Sequence, residues 1–305
     1  MTGGRANSGP LVTVAVVYLA VASTVMIWRG ISVSPDYLLL LLIPIALLSG
    51  RFFRFLGDWV PFIALFLGWE AMRGIAGSSG IQPHVGDVAS IDRWLFAGHL
   101  PTQVFQDTVG RLGLSRAADY AATVIYFGHF VIPVAVGITL WLVDRTQFLR
   151  FTTALLALAF GAFVIYLLVP TAPPWYAQDH GVIDGVRHVM GSTLPSAVSP
   201  YYQSLNPNPV AALPSLHAAF PFLGFLALRK NFPRGALLAL AWAVMVWFSV
   251  IYLGEHYLID VAGGILAAWA TWAVMTHVVV PRVAVLRDAR PAAAGTLREE
   301  WASAA

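Results

Sequence analysis

The sequence predicts an all-α polytopic membrane bundle, and three observations predict it. Of 305 residues, 58% are hydrophobic and 11% charged, where soluble domains run near half apolar and about a quarter charged. The apolar residues gather in runs close to the roughly 18–20 residues that cross about 30 Å of hydrocarbon. These runs recur from residue 11 to residue 280, bounded by Arg, Pro, Gly or Asp. A soluble globular enzyme is therefore excluded. Cysteine is absent, which removes disulfides, thiolate metal sites and a cysteine nucleophile. The 18 basic residues stand singly or in pairs at segment ends, so they report topology and give no reason to expect a nucleic-acid partner.

Taken in order, the runs give about eight spans. The first, 11–28, contains Ala20-Val21-Ala22, which mimics a signal-peptidase site; only Arg5 precedes it and more spans follow, so it is read as a retained anchor. The second, 36–50, is short enough to be re-entrant or strongly tilted. The third covers 56–76. Residues 77–117 carry Gly77, Gly80, Pro83, Gly86 and Pro101, too polar to span, and form an outer loop whose Trp94, Leu95, Phe96, Val104 and Phe105 suit interfacial helices. Spans 118–143 and 150–169 follow. The stretch 170–212 is rich in Pro, Ser, Asn and Tyr and reads as a second outer loop. Spans 213–231, 235–253 and 257–280 complete one domain, 1–281, and residues 282–305 read as a disordered tail.

Cytoplasmic loops carry the Lys/Arg excess. With the N-terminus inside, twelve of the 18 basic residues fall on the inner side, among them Arg51, Arg54, Arg145, Arg150, Arg229, Lys230 and Arg234. Six fall on the longer outer loops: Arg29, Arg73, Arg93, Arg111, Arg116 and Arg187. This predicts a cell-membrane protein with both termini cytoplasmic.

Three polar motifs then share the outer face: Pro170-Thr171-Ala172-Pro173-Pro174-Trp175, Pro214-Ser215-Leu216-His217 and Gly254-Glu255-His256-Tyr257-Leu258-Ile259-Asp260. Polar groups at membrane depth are costly and mark function. On a helix, His256 and Asp260 at i, i+4 would share a face, so the carboxylate accepts Nδ1–H and leaves Nε2 unprotonated and aimed outward. Such an imidazole is a competent nucleophile toward phosphorus. His217, from another segment, is placed to protonate a departing oxygen. Two other readings stay open at this point: an interfacial hydrogen-bonding histidine, and a metal held by His217, His256 and Asp260. Ser215 lacks the G-x-S-x-G elbow of a serine hydrolase.

The spacing Pro214-Ser215-Leu216-His217, then His256-x-x-x-Asp260, resembles the second and third motifs of the type 2 phosphatidic acid phosphatase superfamily. The Ala211–His217 run, Pro170–Trp175 and Gly254–Gly263 are more specifically similar to its inositol phosphorylceramide synthase branch and that branch's bacterial relatives. The resemblance covers roughly 65–275 and implies a six-helix phosphatase-like core. It also implies His256 as nucleophile, Asp260 as its orienting partner, His217 as general acid and then base, and no metal or other cofactor. The chain departs from the phosphatase pattern at Val250, where that pattern has Arg, and at Pro170-Thr171-Ala172-Pro173, where it has a Lys/Arg pair. A transferred phosphoryl group still needs cationic or N–H donors.

Arg73 is the first candidate for that clamp, against the alternative of an i, i+3 ion pair with Glu70; Arg187 and His180 come second. His129, about eleven residues into its span and so roughly 16 Å along it, is read as a packing histidine or, through Tyr126-x-x-His129, as part of the site. Pro173, Trp175, Ser215 and Tyr257 complete the expected substrate-binding set. The expected partners are a membrane phospholipid or polyprenyl phosphate and an alcohol acceptor such as inositol or another lipid. Plain hydrolysis of a lipid phosphate, and a non-catalytic transporter using His/Asp as a proton relay, are the alternatives.

Overall fold

In the computed structural model, residues 9–28, 40–77, 80–129, 131–193 and 208–280 are described. The expected tail 282–305, residues 36–39 of the second apolar run and 194–207 of the second outer loop lie outside them. Thirteen helices occur among the described residues: α1 Gly9–Trp28, α2 Ile43–Leu48, α3 Phe52–Gly77, α4 Gly86–Leu95, α5 Pro101–Arg111, α6 Ser115–Gly128, α7 Val131–Val143, α8 Arg145–Leu168, α9 Pro174–Asp179, α10 Val189–Thr193, α11 Leu216–Leu228, α12 Pro233–Tyr252 and α13 Leu258–Val274. The last runs into a π-helical turn, Met275–Val279.

Among the described residues, six segments are long and apolar enough to cross a membrane: Gly9–Met26, Phe52–Gly77, Ser115–Val143, Arg145–Leu168, Pro233–Tyr252 and Leu258–Val279. The all-α bundle is therefore as expected, while among the described residues two of the eight expected spans are absent from these six. In the described part of the second apolar run, 40–50, the helix is the six-residue α2, with Pro44 in its first turn and Gly50, at a φ of +66°, after it. The sixth is the thirteen-residue α11. It is enclosed: α7, α8, α12 and α13 all pack on it, and nearly every residue from Leu216 to Leu228 is buried. The fourth run divides into α6 and α7. Pro133 lacks the N–H that would bond the His129 carbonyl, which loosens the ladder at that turn.

Buried polar staples hold the ends. At one end Asp58 accepts from Arg145 through both oxygens (2.5 and 2.9 Å) and from the Trp141 indole N–H (3.0 Å). At the other end the Pro170–Ala172 segment is laced between two strands of chain. His84 N–H donates to Pro170 O, Ala172 N–H to His84 O, and Thr171 exchanges backbone bonds with Val210 and Ala212. The Thr171 hydroxyl also accepts from Leu213 N–H (2.7 Å). One threonine thus fixes the approach to Pro214-Ser215. In α4, on the expected first outer loop, Ile91, Trp94 and Leu95 are exposed while Val88 and Ala89 pack with Ile183, Val186 and Tyr257.

Candidate active site

The site begins with how α11 and α13 start. Ser215 caps α11, its hydroxyl accepting from Ala218 N–H, and its own N–H donates to Asp260 O (3.0 Å). The two helices are in backbone contact there: a Cβ on Gly264 would run into the Ser215 carbonyl. Gly254, at a φ of +82°, turns the chain out of α12, a conformation that a side chain would strain. Its carbonyl accepts from Trp175 N–H (3.0 Å). His256 therefore stands in the turn before α13, not on the helix as the i, i+4 spacing suggested. Asp260 reaches back one turn, accepting from Tyr257 N–H (2.8 Å), and this brings Oδ2 to 3.5 Å from His256 Nδ1.

His256 Nε2 lies 3.0 Å from His217 Nδ1. It is buried and aimed into the bundle at a partner histidine, where an unprotonated nitrogen aimed outward was expected. With the His256 proton on Nδ1 beside Asp260, Nε2 accepts and His217 Nδ1–H donates; this tautomer follows from the network. The His217 ring in turn meets His129 edge-to-face (centroids 4.3 Å apart) and packs over Tyr126 (4.6 Å). His129 Nδ1 is bonded to Tyr126 O.

A cavity opens on this row. It is lined by Trp69, Glu70, Arg73, His129, Tyr166, Ala211, Leu216, His217, Phe220 and His256. Arg73 and Glu70 are paired at 2.7 Å, and the guanidinium lies 5.6 Å above the Trp69 ring. The ion pair and the clamp position are thus compatible, because both partners face the cavity. His129 lines it despite its depth, since α11 begins inside the bundle and the cavity follows it down.

The structure gathers four of the expected residues, Arg73, His129, His217 and His256, with Asp260 directly behind. The others do not line this cavity. Ser215 is fully buried as a cap. Pro173 caps α9. Trp175 stacks on His188 (4.7 Å, 9°), beside the buried Glu255, whose Oε1 is 3.5 Å from His188 Nε2. Tyr257 is 1% exposed and packed against α4. Arg187 is held by both oxygens of Asp119 (3.2 Å) and by the Tyr252 hydroxyl; the Asp119 carboxylate pushes the guanidinium further up from its ordinary value. His180 is exposed and stacked on Tyr176. Among the described residues no set of three His, Asp or Glu side chains is arranged to hold a metal: His256 stands between His217 and Asp260, so the three do not converge.

Sequence reasoning missed Tyr166, whose hydroxyl donates to Pro214 O (2.7 Å), and Trp69 and Phe220. A signal for Tyr166 exists in hindsight: it precedes Pro170 by four, the spacing that also separates His129 from Pro133 and His217 from Pro221. It missed Asp92 as well. That carboxylate is fully buried and accepts from Leu258 and Ile259 N–H (2.9 and 3.0 Å). Burial, reinforced by the Asp260 charge, pushes it up to about 6.

Comparison with known proteins gives a consistent result. Residues 87–274 match the family model described as the PAP2 superfamily. The chain is 30% identical over 170 residues to the phosphoinositol dihydroceramide synthase of Bacteroides thetaiotaomicron, covering 51% of this chain and 54% of that one. It is 31% identical over 114 residues to the inositol phosphorylceramide synthase catalytic subunit of Schizosaccharomyces pombe, covering 34% and 27%. The inositol phosphorylceramide synthase of Candida albicans is 26% identical over 170 residues, covering 50% and 35%. The chain thus spans about half the length of the first of these relatives and less of the fungal two. No solved structure matches it at a comparable level.

Proposed function

Because the chain belongs to the PAP2 superfamily, we propose that it is an integral-membrane lipid phosphotransferase working through a phosphohistidine. The observation that carries this reading is the His217–His256–Asp260 row at 3.0 and 3.5 Å, set on a cavity that Arg73 also lines. As substrate enters, the His217 N–H turns from His256 Nε2 to the leaving lipid oxygen. Nε2 then attacks phosphorus as the bond to that oxygen breaks, and the oxygen takes the proton from His217, which enters the step as the imidazolium. Asp260 stabilises the cationic imidazole that forms. An acceptor hydroxyl then attacks phosphorus, gives its proton to His217, and the phosphorus–nitrogen bond breaks. Arg73 neutralises charge on the phosphoryl oxygens.

The relatives' names support an inositol-phosphate group as the one transferred, from a phosphoinositide donor to a lipid alcohol, with water as the acceptor in a side reaction. The positive-inside count supports a site on the extracytoplasmic side with both termini in the cytoplasm. The test is a phospho-enzyme trap. Full-length protein in detergent is offered phosphorus-labelled phosphatidylinositol and a panel of lipid phosphates, quenched, and compared with His256→Ala. Acid-labile, base-stable label on the wild type alone is expected; no label with any donor refutes the reading. A proton relay is the second reading, favoured by the succession His129, His217, His256, Asp260. It predicts indifference to vanadate, which a phosphohistidine enzyme binds as a pentacoordinate mimic.

A further inference from the structure

We propose that Asp92, on an outer-loop helix 164 positions before the candidate nucleophile, is a positioning residue for the transfer step. The inference rests on the phosphotransfer reading above. Tyr257 stands at the cap position of α13, and tyrosine is not among the short oxygen-bearing side chains that serve there. The first-turn N–H groups must still be satisfied. Asp92 meets that need from outside: its two oxygens take Leu258 and Ile259 N–H at 2.9 and 3.0 Å.

This division of labour matters for Asp260. A first-turn carboxylate ordinarily folds back onto the amides of its own helix, and Asp260 gives one oxygen to Tyr257 N–H. Because Asp92 already holds the next two amides, that same Oδ2 stays beside His256 Nδ1. Asp92 thereby fixes where α13 begins and how it is rotated, and with it the direction of the imidazole one residue before the cap. The supporting contacts are rigid ones. Val88 and Ala89 on the same face of α4 pack with Tyr257, and Asp260 O is tied to Ser215 N–H, which carries the same register to His217. Two buried carboxylates near one helix start that repel each other are electrostatically unfavourable, and orientation of His256 gives that arrangement a use.

The test uses full-length protein in detergent with Asp92→Asn and Asp92→Glu, read by kcat and KM on the lipid donor, by vanadate affinity, and by a thermal melt that confirms folding. In Asn one oxygen becomes an N–H donor facing a backbone N–H, so α13 shifts at its start. Misplacement of about 1 Å costs on the order of 100-fold in rate. Asp92→Asn is therefore expected to lower kcat and weaken vanadate binding by the same factor of roughly 10–100, with KM within about twofold. Asp92→Glu, which keeps the charge, is expected to lie between Asn and wild type and answers the question if Asn fails to fold. Unchanged kcat and vanadate affinity in folded variants, or a loss confined to KM or to the melting temperature, overturns the proposal. A wild type that neither turns over lipid nor binds vanadate overturns the phosphotransfer reading and this inference together.

Discussion

Replacing Asp260 with Asn tests the electrostatic heart of the site. Asp260 is fully buried, and its Oδ2 both accepts from Tyr257 N–H and stands 3.5 Å from His256 Nδ1. Asn keeps an oxygen for Tyr257, so the start of α13 survives, and the negative charge disappears. At an effective dielectric constant of about 20, unit charges 3.5 Å apart attract by about 5 kcal/mol. A single hydrogen bond to a charged group is worth about 1.5–3 kcal/mol. These bracket the loss of stabilisation as His256 becomes cationic, and at about 1.4 kcal/mol per factor of ten they correspond to a fall of roughly 10-fold to 3,000-fold. The assay is single-turnover labelling of the enzyme by a phosphorus-labelled donor under rapid quench, which isolates formation of the phospho-enzyme from its breakdown. A fall of less than about threefold, with the protein folded, would refute the idea that Asp260 stabilises the imidazolium.

Further predictions follow from neighbouring contacts. Gly264→Ala forces α13 away from the Ser215 carbonyl, which backbone cannot yield, and is expected to cost about 1–3 kcal/mol in a thermal melt and to pull His217 from His256. Arg73→Gln removes the cation on the cavity wall and is expected to lower kcat about 100-fold or more, with Lys restoring part of it; activity within threefold of wild type would reduce Arg73 to a partner of Glu70. The Asp92 carboxyl, raised by burial from its ordinary 3.8 to about 6, binds its proton more readily in the folded chain than in the unfolded one. Between about pH 4 and 6 this group alone makes stability fall as pH rises. The melting temperature of wild type relative to Asp92→Asn is therefore expected to drop across that window, and a flat difference contradicts the assignment.

The bundle was legible because membrane thickness sets helix length and composition reveals it. What failed to read were the features that depend on neighbours. The run 213–231 looks like any span in one dimension; that its thirteen-residue helix is enclosed by four others is something no local pattern records. His129 was ambiguous because depth along a helix does not tell whether a cavity reaches that depth. The motif histidines were legible because costly groups at membrane depth stand out against an apolar background. Their mutual distance was not, since the i, i+4 argument assumed a helix that starts two residues later. Asp92 was hidden because its partners are backbone amides 166 and 167 positions away, and amides carry no sequence signature.

The enclosure of α11 also bears on how the protein is made. Thirteen residues of helix reach about 20 Å, short of the roughly 30 Å of a hydrocarbon layer, so this segment is a poor candidate for stable insertion before its neighbours arrive. Synthesis delivers α7 and α8 first and α12 and α13 afterwards, and α11 is satisfied only when both sets surround it. The histidine it carries is therefore among the last groups to find its partner. A nascent chain released before α13 would hold an anchored lipid-facing bundle with no chemistry in it, and activity would arrive together with completion of the fold.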